Sequence, residues 1–203
     1  MPHKDRIQNN AYHRAYYRTH KVERNAMFAR VNRERRQKRY AEIQKLKAGP
    51  CTDCGGSFPY FVMDFDHRDP ATKFLDVSLM VKRMFAWDKV LAEVAKCDLV
   101  CVRCHRLRTY HGDENYRSLR FKTAKAFIDQ LKTENPCADC EGRFKACQMD
   151  FDHTNDKKAG VARLLSSVAS LETIKNEIAK CDLVCANCHR VRTQARRPEQ
   201  EAA

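Results

Sequence analysis

One fourteen-residue phrase occurs twice in this chain. "KCDLVCVRCHRLRT" spans Lys96 to Thr109 and "KCDLVCANCHRVRT" spans Lys180 to Thr193, differing at three positions with a constant offset of 84. The likeness reaches further back. "PCTDCGG" at Pro50 to Gly56 returns as "PCADCEG" at Pro136 to Gly142, and "MDFDH" at Met63 to His67 returns at Met149 to His153, both offset by 86. "IQKLK" from Ile43 returns as "IDQLK" from Ile128. The chain of 203 residues is a tandem duplication, each copy about 65 to 70 residues long. A unit that small buries too little apolar surface for a large core and needs a staple.

The cysteines supply one. The first copy offers Cys51-x-x-Cys54 and Cys101-x-x-Cys104, the second Cys137-x-x-Cys140 and Cys185-x-x-Cys188. Two CxxC knuckles give one tetrahedral Zn²⁺ four thiolates at about 2.3 Å, and four sulfurs leave no position open for a substrate. Two structural zincs per chain are therefore expected, with buried free thiols as the other reading. From 44 to 46 residues separate the knuckles of each pair, so a folded element lies between them. Cys97 and Cys181 recur four residues before Cys101 and Cys185 and read as small core residues. Cys147 falls where the first copy has Phe61, and reads as buried.

Between the knuckles, "FPYFVMDFDH" is aromatic, alternates towards its end and reads as a strand. Period two puts Met63, Phe65 and His67 on one face and Asp64 and Asp66 on the other; Met149, Phe151 and His153 repeat this against Asp150 and Asp152. A polar loop follows, then a helix whose stripe Trp87, Val90, Val94 matches Leu171, Ile174, Ile178, with Asp88 and Ser170 as N-caps. The second knuckle opens a short basic helix. Two features exceed what folding requires: the Asp-His pair at each strand end, and His105 and His189 directly after the last cysteine. A carboxylate plus an imidazole can hold a divalent ion with positions left open, Mg²⁺ by its oxygen preference and Mn²⁺ or Ni²⁺ by the nitrogen. A further His with a pKa of about 6.5 can accept a proton at neutral pH. Asp64 and Asp150 read as structural.

Charge identifies a partner class. The net charge is +13, and residues 1–48 hold 14 Lys and Arg against 4 Asp and Glu. That arm has no Gly and, after Pro2, no Pro, and reads as one or two helices. Tyr12, Tyr16 and Tyr17 interleave with Arg14 and Arg18, a pattern that stacks on bases or tracks phosphates. A basic arm on a small domain points to nucleic acid, against the reading of a merely solvated helix. Arg106, Arg108, Arg190 and Arg192 flank the Cys-His sites as candidate phosphate clamps or as a solvated basic face. No apolar run approaches the roughly 18 residues of a membrane span. Eleven cysteines behind an N-terminus without an apolar stretch fit a reducing, cytoplasmic compartment.

Together these residues resemble the HNH (ββα-metal, His-Me finger) endonucleases, above all the small zinc-stapled phage-type members carrying "DFDHRDP…K…KCDLVCANCHR". The resemblance covers about residues 49–110 and 137–194. It implies an α+β, zinc-stabilised fold of two tandem ββα-metal modules behind a basic helical arm. The boundaries are 1–48 for the arm, 49–110 and 137–197 for the modules, 111–136 for a helical connector and 198–203 for a tail. It matches His67 and His153 to the general base, Asp66 and Asp152 to the first metal ligand, and His105 and His189 to the closing ligand. It implies metal-dependent hydrolysis of DNA phosphodiester bonds, most readily in double strands, with no membrane partner, in the cytoplasm of a cell, a phage host included. One departure stands out: the family's middle Asn is absent, Lys96-Cys97 and Lys180-Cys181 being followed by Asp98 and Asp182. The rival readings are a non-catalytic tandem zinc-finger binder of DNA or RNA, and an accessory nuclease of DNA packaging or recombination.

Overall fold

The computed structural model describes residues 3–110 and 118–197. Helices α1 (His3–Thr19) and α2 (Lys21–Leu46) open the chain. A 3₁₀ turn at Tyr60–Val62 leads into β1 (Met63–His67), followed by α3 (Val77–Lys82), α4 (Trp87–Val94), β2 (Cys97–Cys101) and α5 (Val102–Arg108). After α6 (Leu119–Glu134) the order returns: a 3₁₀ turn at Ala146–Gln148, β3 (Met149–His153), α7 (Val161–Ser166), α8 (Leu171–Ile178), β4 (Cys181–Cys185) and α9 (Ala186–Ala195). The result is a mixed helix and small-sheet protein with two four-cysteine groups. None of its described helices is long and apolar enough to cross a membrane. The chain divides into two units, Met1–Leu46 with Phe74–Glu93, and Lys47–Lys73 with Val94–Ala203.

In the first unit α2 buries none of its side chains. Its Arg39 donates to the Phe85 carbonyl and lies 5.2 Å over the Trp87 ring. Asp88, expected as an N-cap, sits inside the first turn of α4. The helix starts one residue earlier because Lys89 and Val90 already bond back to the Ala86 carbonyl.

In the second unit two antiparallel pairs carry the architecture. β1 pairs with β2 so that Met63 faces Cys101, Asp66 faces Asp98 and His67 faces Cys97. β3 pairs with β4 in the same register, from Met149 facing Cys185 to His153 facing Cys181. The expected long strand is shorter because Pro59, which has no N–H to give a ladder, opens a turn in which Val62 N–H bonds the Pro59 carbonyl at 2.8 Å. Each CxxC turn needs one left-handed residue, and Gly55 supplies it at φ 68° in the first copy. Glu141 is forced into it at φ 57° in the second. Ser170 caps α8 as expected, its hydroxyl accepting from Thr173 N–H at 3.0 Å. The segment read as a connector is part of the second copy's core: Ala124 and Ile128 of α6 pack with Val161 and Ile174. Residues 111–117 and the 198–203 tail lie outside the described residues.

The two copies meet through equivalent residues. Val102 and Ala186, both first in their helices, share one buried cluster with Val62 and Met63. Arg103 N–H donates to Asn187 Oδ1 at 3.1 Å, and these two positions also match under the 84-residue offset. Arg106 reaches Asp150 while Arg190 reaches Asp64. Contacts that return on themselves in this way are the signature of a two-fold interface, here made inside one chain.

Candidate functional site

Each four-cysteine group is assembled by a knuckle turn and by the junction of a strand with a helix. Cys51, Cys54, Cys101 and Cys104 place their sulfurs within 4.8 Å of one another, as do Cys137, Cys140, Cys185 and Cys188. Four sulfurs on a tetrahedral zinc at 2.3 Å stand about 3.8 Å apart, and the Cys140 and Cys185 sulfurs are at 3.9 Å. Burial pushes the Cys51 and Cys137 thiols up, but backbone N–H donors outweigh it and hold both down at about 7. Among these donors are Cys101 N–H to Cys51 Sγ at 3.2 Å and Cys185 N–H to Cys137 Sγ at 3.1 Å. Both groups could bind a structural zinc. Cys97 and Cys181 stand apart from them; Cys181 donates to the Glu177 carbonyl, and burial pushes its thiol up to about 11.

Beside each group the strand aspartates converge on the helix histidine. His105 Nδ1 is 3.2 Å from Asp64 Oδ2, and its Nε2 is 3.4 Å from Asp66 Oδ1. His189 repeats this with Asp150 Oδ2 at 2.9 Å and Asp152 Oδ1 at 3.5 Å. Period-two alternation puts Asp64 and Asp66 on the face that α5 covers. Asp64, which read as structural, is therefore the carboxylate that orients His105. Its hydrogen bond raises the His105 pKa, against the opposing effect of burial. Burial pushes Asp64 up, yet His105 and Arg190 hold it down at about 2. Two ligands at right angles on an ion with bonds of about 2.1 Å lie about 3.0 Å apart. The 3.4 and 3.5 Å gaps between Nε2 and the strand carboxylate are close to that span. Each copy thus sets one carboxylate oxygen opposite one imidazole nitrogen.

Asp66 faces Asp98 across the ladder, and like charges in that position repel. Arg108 answers both, its Nη1 donating to Asp66 at 3.1 Å and to Asp98 at 3.0 Å, while its other edge grips Asp53. Arg192 does the same for Asp152, Asp182 and Asp139. These arginines, and Arg106 and Arg190 with them, thus carry carboxylate partners within the protein rather than standing as a solvated basic face. The second copy adds one more arginine. Arg196 binds Asp152 with both donors, 2.8 Å to Oδ1 and 2.7 Å to Oδ2.

His153 ends β3, and its Nε2 lies 2.9 Å from Glu177 Oε1. Glu177 is buried, and Oε1 also accepts from the Lys158 and Ala159 N–H groups. His67 ends β1 at the matching position, half-buried. The sequence reading missed Glu177, and also Lys132, whose ammonium burial pushes down in pKa and which lies 5.6 Å over the Phe151 ring. Both had a signal: Glu177 recurs as Glu93, and Lys132 as Lys47, each inside a repeated phrase. Lys125, Lys132, Asp150, Asp152, His153, His189 and Arg196 line one open cleft of about 850 Å³. On α1, Tyr12, Tyr16 and Tyr17 are exposed, with Tyr12 and Tyr16 stacked at 6.4 Å, and Arg14 and Arg18 are exposed beside them. No family model matches this chain, and no curated protein or solved structure does either.

Proposed function

We propose that the protein is a metal-dependent endonuclease of the HNH type, with one hydrolytic site in each copy. The observation that carries this reading is the twofold recurrence of one constellation. In each copy a strand carboxylate and a helix imidazole nitrogen stand 3.4 or 3.5 Å apart, next in sequence to a strand-end histidine. A zinc-stapled binding module has no need of it. Asp66 with His105, and Asp152 with His189, would hold Mg²⁺ or Mn²⁺. Bound there, the ion would supply Lewis-acid stabilisation of charge on the scissile phosphate and the leaving oxygen.

The chain's own residues do the rest. His153 is oriented by Glu177 at Nε2, which leaves Nδ1 as the proton acceptor. It takes the proton of a water as the water's oxygen bonds phosphorus and the P–O bond to the leaving oxygen breaks; a proton then passes to that oxygen. His67 has the same role in the first copy. Lys132 brings a cation to the cleft, and the exposed Tyr and Arg side chains of α1 supply contacts for a polyanion. The substrate is DNA, double-stranded by preference, since two sites on one chain suit two strands. His67→Ala or His153→Ala alone should leave an enzyme that nicks supercoiled plasmid without linearising it. One specific observation favours the rival reading of a non-catalytic binder: Asp152 is already occupied by Arg192 and Arg196. Metal-dependent nicking by the His67→Ala variant, which keeps only the second site, would count against that rival.

A further inference from the structure

Two arginines cross between the copies, and each ends on the aspartate that orients the other copy's histidine. Arg190, in α9 of the second copy, binds Asp64 of the first with two donors at 2.9 and 2.8 Å, and also donates to the Phe61 carbonyl at 3.2 Å. Asp64 Oδ2 in turn faces His105 Nδ1 at 3.2 Å. Reciprocally, Arg106 in α5 donates to Asp150 at 2.7 Å, and Asp150 faces His189 Nδ1 at 2.9 Å. The aspartate side chains are only 20% exposed, so few directions remain from which another group can hold them.

Among the described residues no other arginine contacts Asp64 or Asp150. Arg108 is committed to Asp53, Asp66 and Asp98, and Arg192 to Asp139, Asp152 and Asp182. Lys47, a further cation that acts on Asp64 through its charge, donates a hydrogen bond to the Met63 carbonyl at 2.7 Å. The guanidinium fork fixes a carboxylate in plane as a single ammonium cannot. An oriented carboxylate fixes the tautomer and tilt of the imidazole it accepts from, and so the aim of the opposite nitrogen.

We propose that Arg190 and Arg106 are positioning residues that act across the duplication, each setting, through an aspartate of the other copy, the ring of the other copy's site histidine. Neither Asp-His site is then complete in one copy alone, which gives the tandem repeat a physical reason to persist in one chain. What the aimed nitrogen does rests on the nuclease reading; the crossing itself does not.

The test uses the full chain loaded with zinc, in the variants Arg190→Ala, Arg106→Ala and their lysine counterparts. Two zincs per chain in each variant certify the fold. Long-range ¹H–¹⁵N spectra of the imidazoles should show Arg190→Ala moving the His105 signals and sparing His189, and Arg106→Ala doing the reverse. Mn²⁺ titration followed by electron paramagnetic resonance, with Asp152→Asn or Asp66→Asn isolating one site, should show Arg190→Ala weakening the Asp66–His105 site by roughly 10- to 100-fold. The other site should hold its affinity, and lysine should restore only part. Effects confined to the mutated copy, or equal on both rings, or absent, would overturn the proposal. A crossed imidazole pattern in a protein that binds no Mn²⁺ would uphold the positioning role while removing the nuclease reading.

Discussion

Arg196 sets the two copies apart. Its guanidinium holds Asp152 Oδ1, the same oxygen that faces His189 Nε2 at 3.5 Å. A cation entering there must displace a paired guanidinium. The matching sequence position in the first copy is Gly112, outside the described residues. Arg196 is half exposed, so the pair is worth less than a buried one. Arg196→Ala should raise Mn²⁺ affinity at the second site by about tenfold, the order of one charge-assisted hydrogen bond, and leave the first unchanged. Calorimetric titration reads both; equal affinity before and after would show that the arginine does not compete. At this scale the sequence was informative where residues recurred. The eight knuckle cysteines and both Cys-His pairs were legible from spacing alone. The partners of Arg106 and Arg190 were not, because they lie 44 and 126 residues away across an interface that no local pattern announces.

The helix and the strand between the second copy's knuckles work as one element. In the second copy Glu177 of α8 holds the chain beyond β3 by accepting from Lys158 and Ala159, and meets His153 and Lys180 as well. Lys180 first, then those backbone donors, hold its carboxyl at about 2, below the ordinary 4.5. A depressed carboxyl pKa stabilises the fold fully above the unfolded value and is lost as pH falls towards the folded one. The contribution should therefore disappear between pH 4.5 and 2. Thermal unfolding of the wild type and of Glu177→Gln should converge across that window, zinc binding being common to both; parallel curves would rule the linkage out. The helix stripe and the Ser170 cap were legible because they are local. The strand from Cys181 to Cys185 was not, since "CDLVC" reads as part of a knuckle and becomes a strand only by pairing with "MDFDH". The short helices α3 and α7 lie between the polar loop and the striped helix, a stretch for which the sequence reading named no element.

As a whole the molecule joins a duplicated unit with a two-fold interface to a basic helical arm. Helix α2 buries no side chain, so the charge of residues 1–48 does not serve a core of its own. Phosphate contacts release counterions, so deleting residues 1–48 should weaken DNA binding on any sequence and flatten its dependence on salt. Fluorescence anisotropy at several salt concentrations measures both, and an unchanged slope would assign the anchoring elsewhere. The most direct measurement of the central claim is cleavage of supercoiled plasmid by protein carrying two zincs per chain. With Mg²⁺ or Mn²⁺ the wild type should relax or linearise the plasmid, and without either it should not. The double variant His67→Ala, His153→Ala should lose roughly 10²- to 10⁴-fold in rate while keeping its zincs and its DNA affinity. Intact plasmid after incubation with folded, metal-supplied wild type, or cleavage by the double variant at the wild-type rate, would contradict the account.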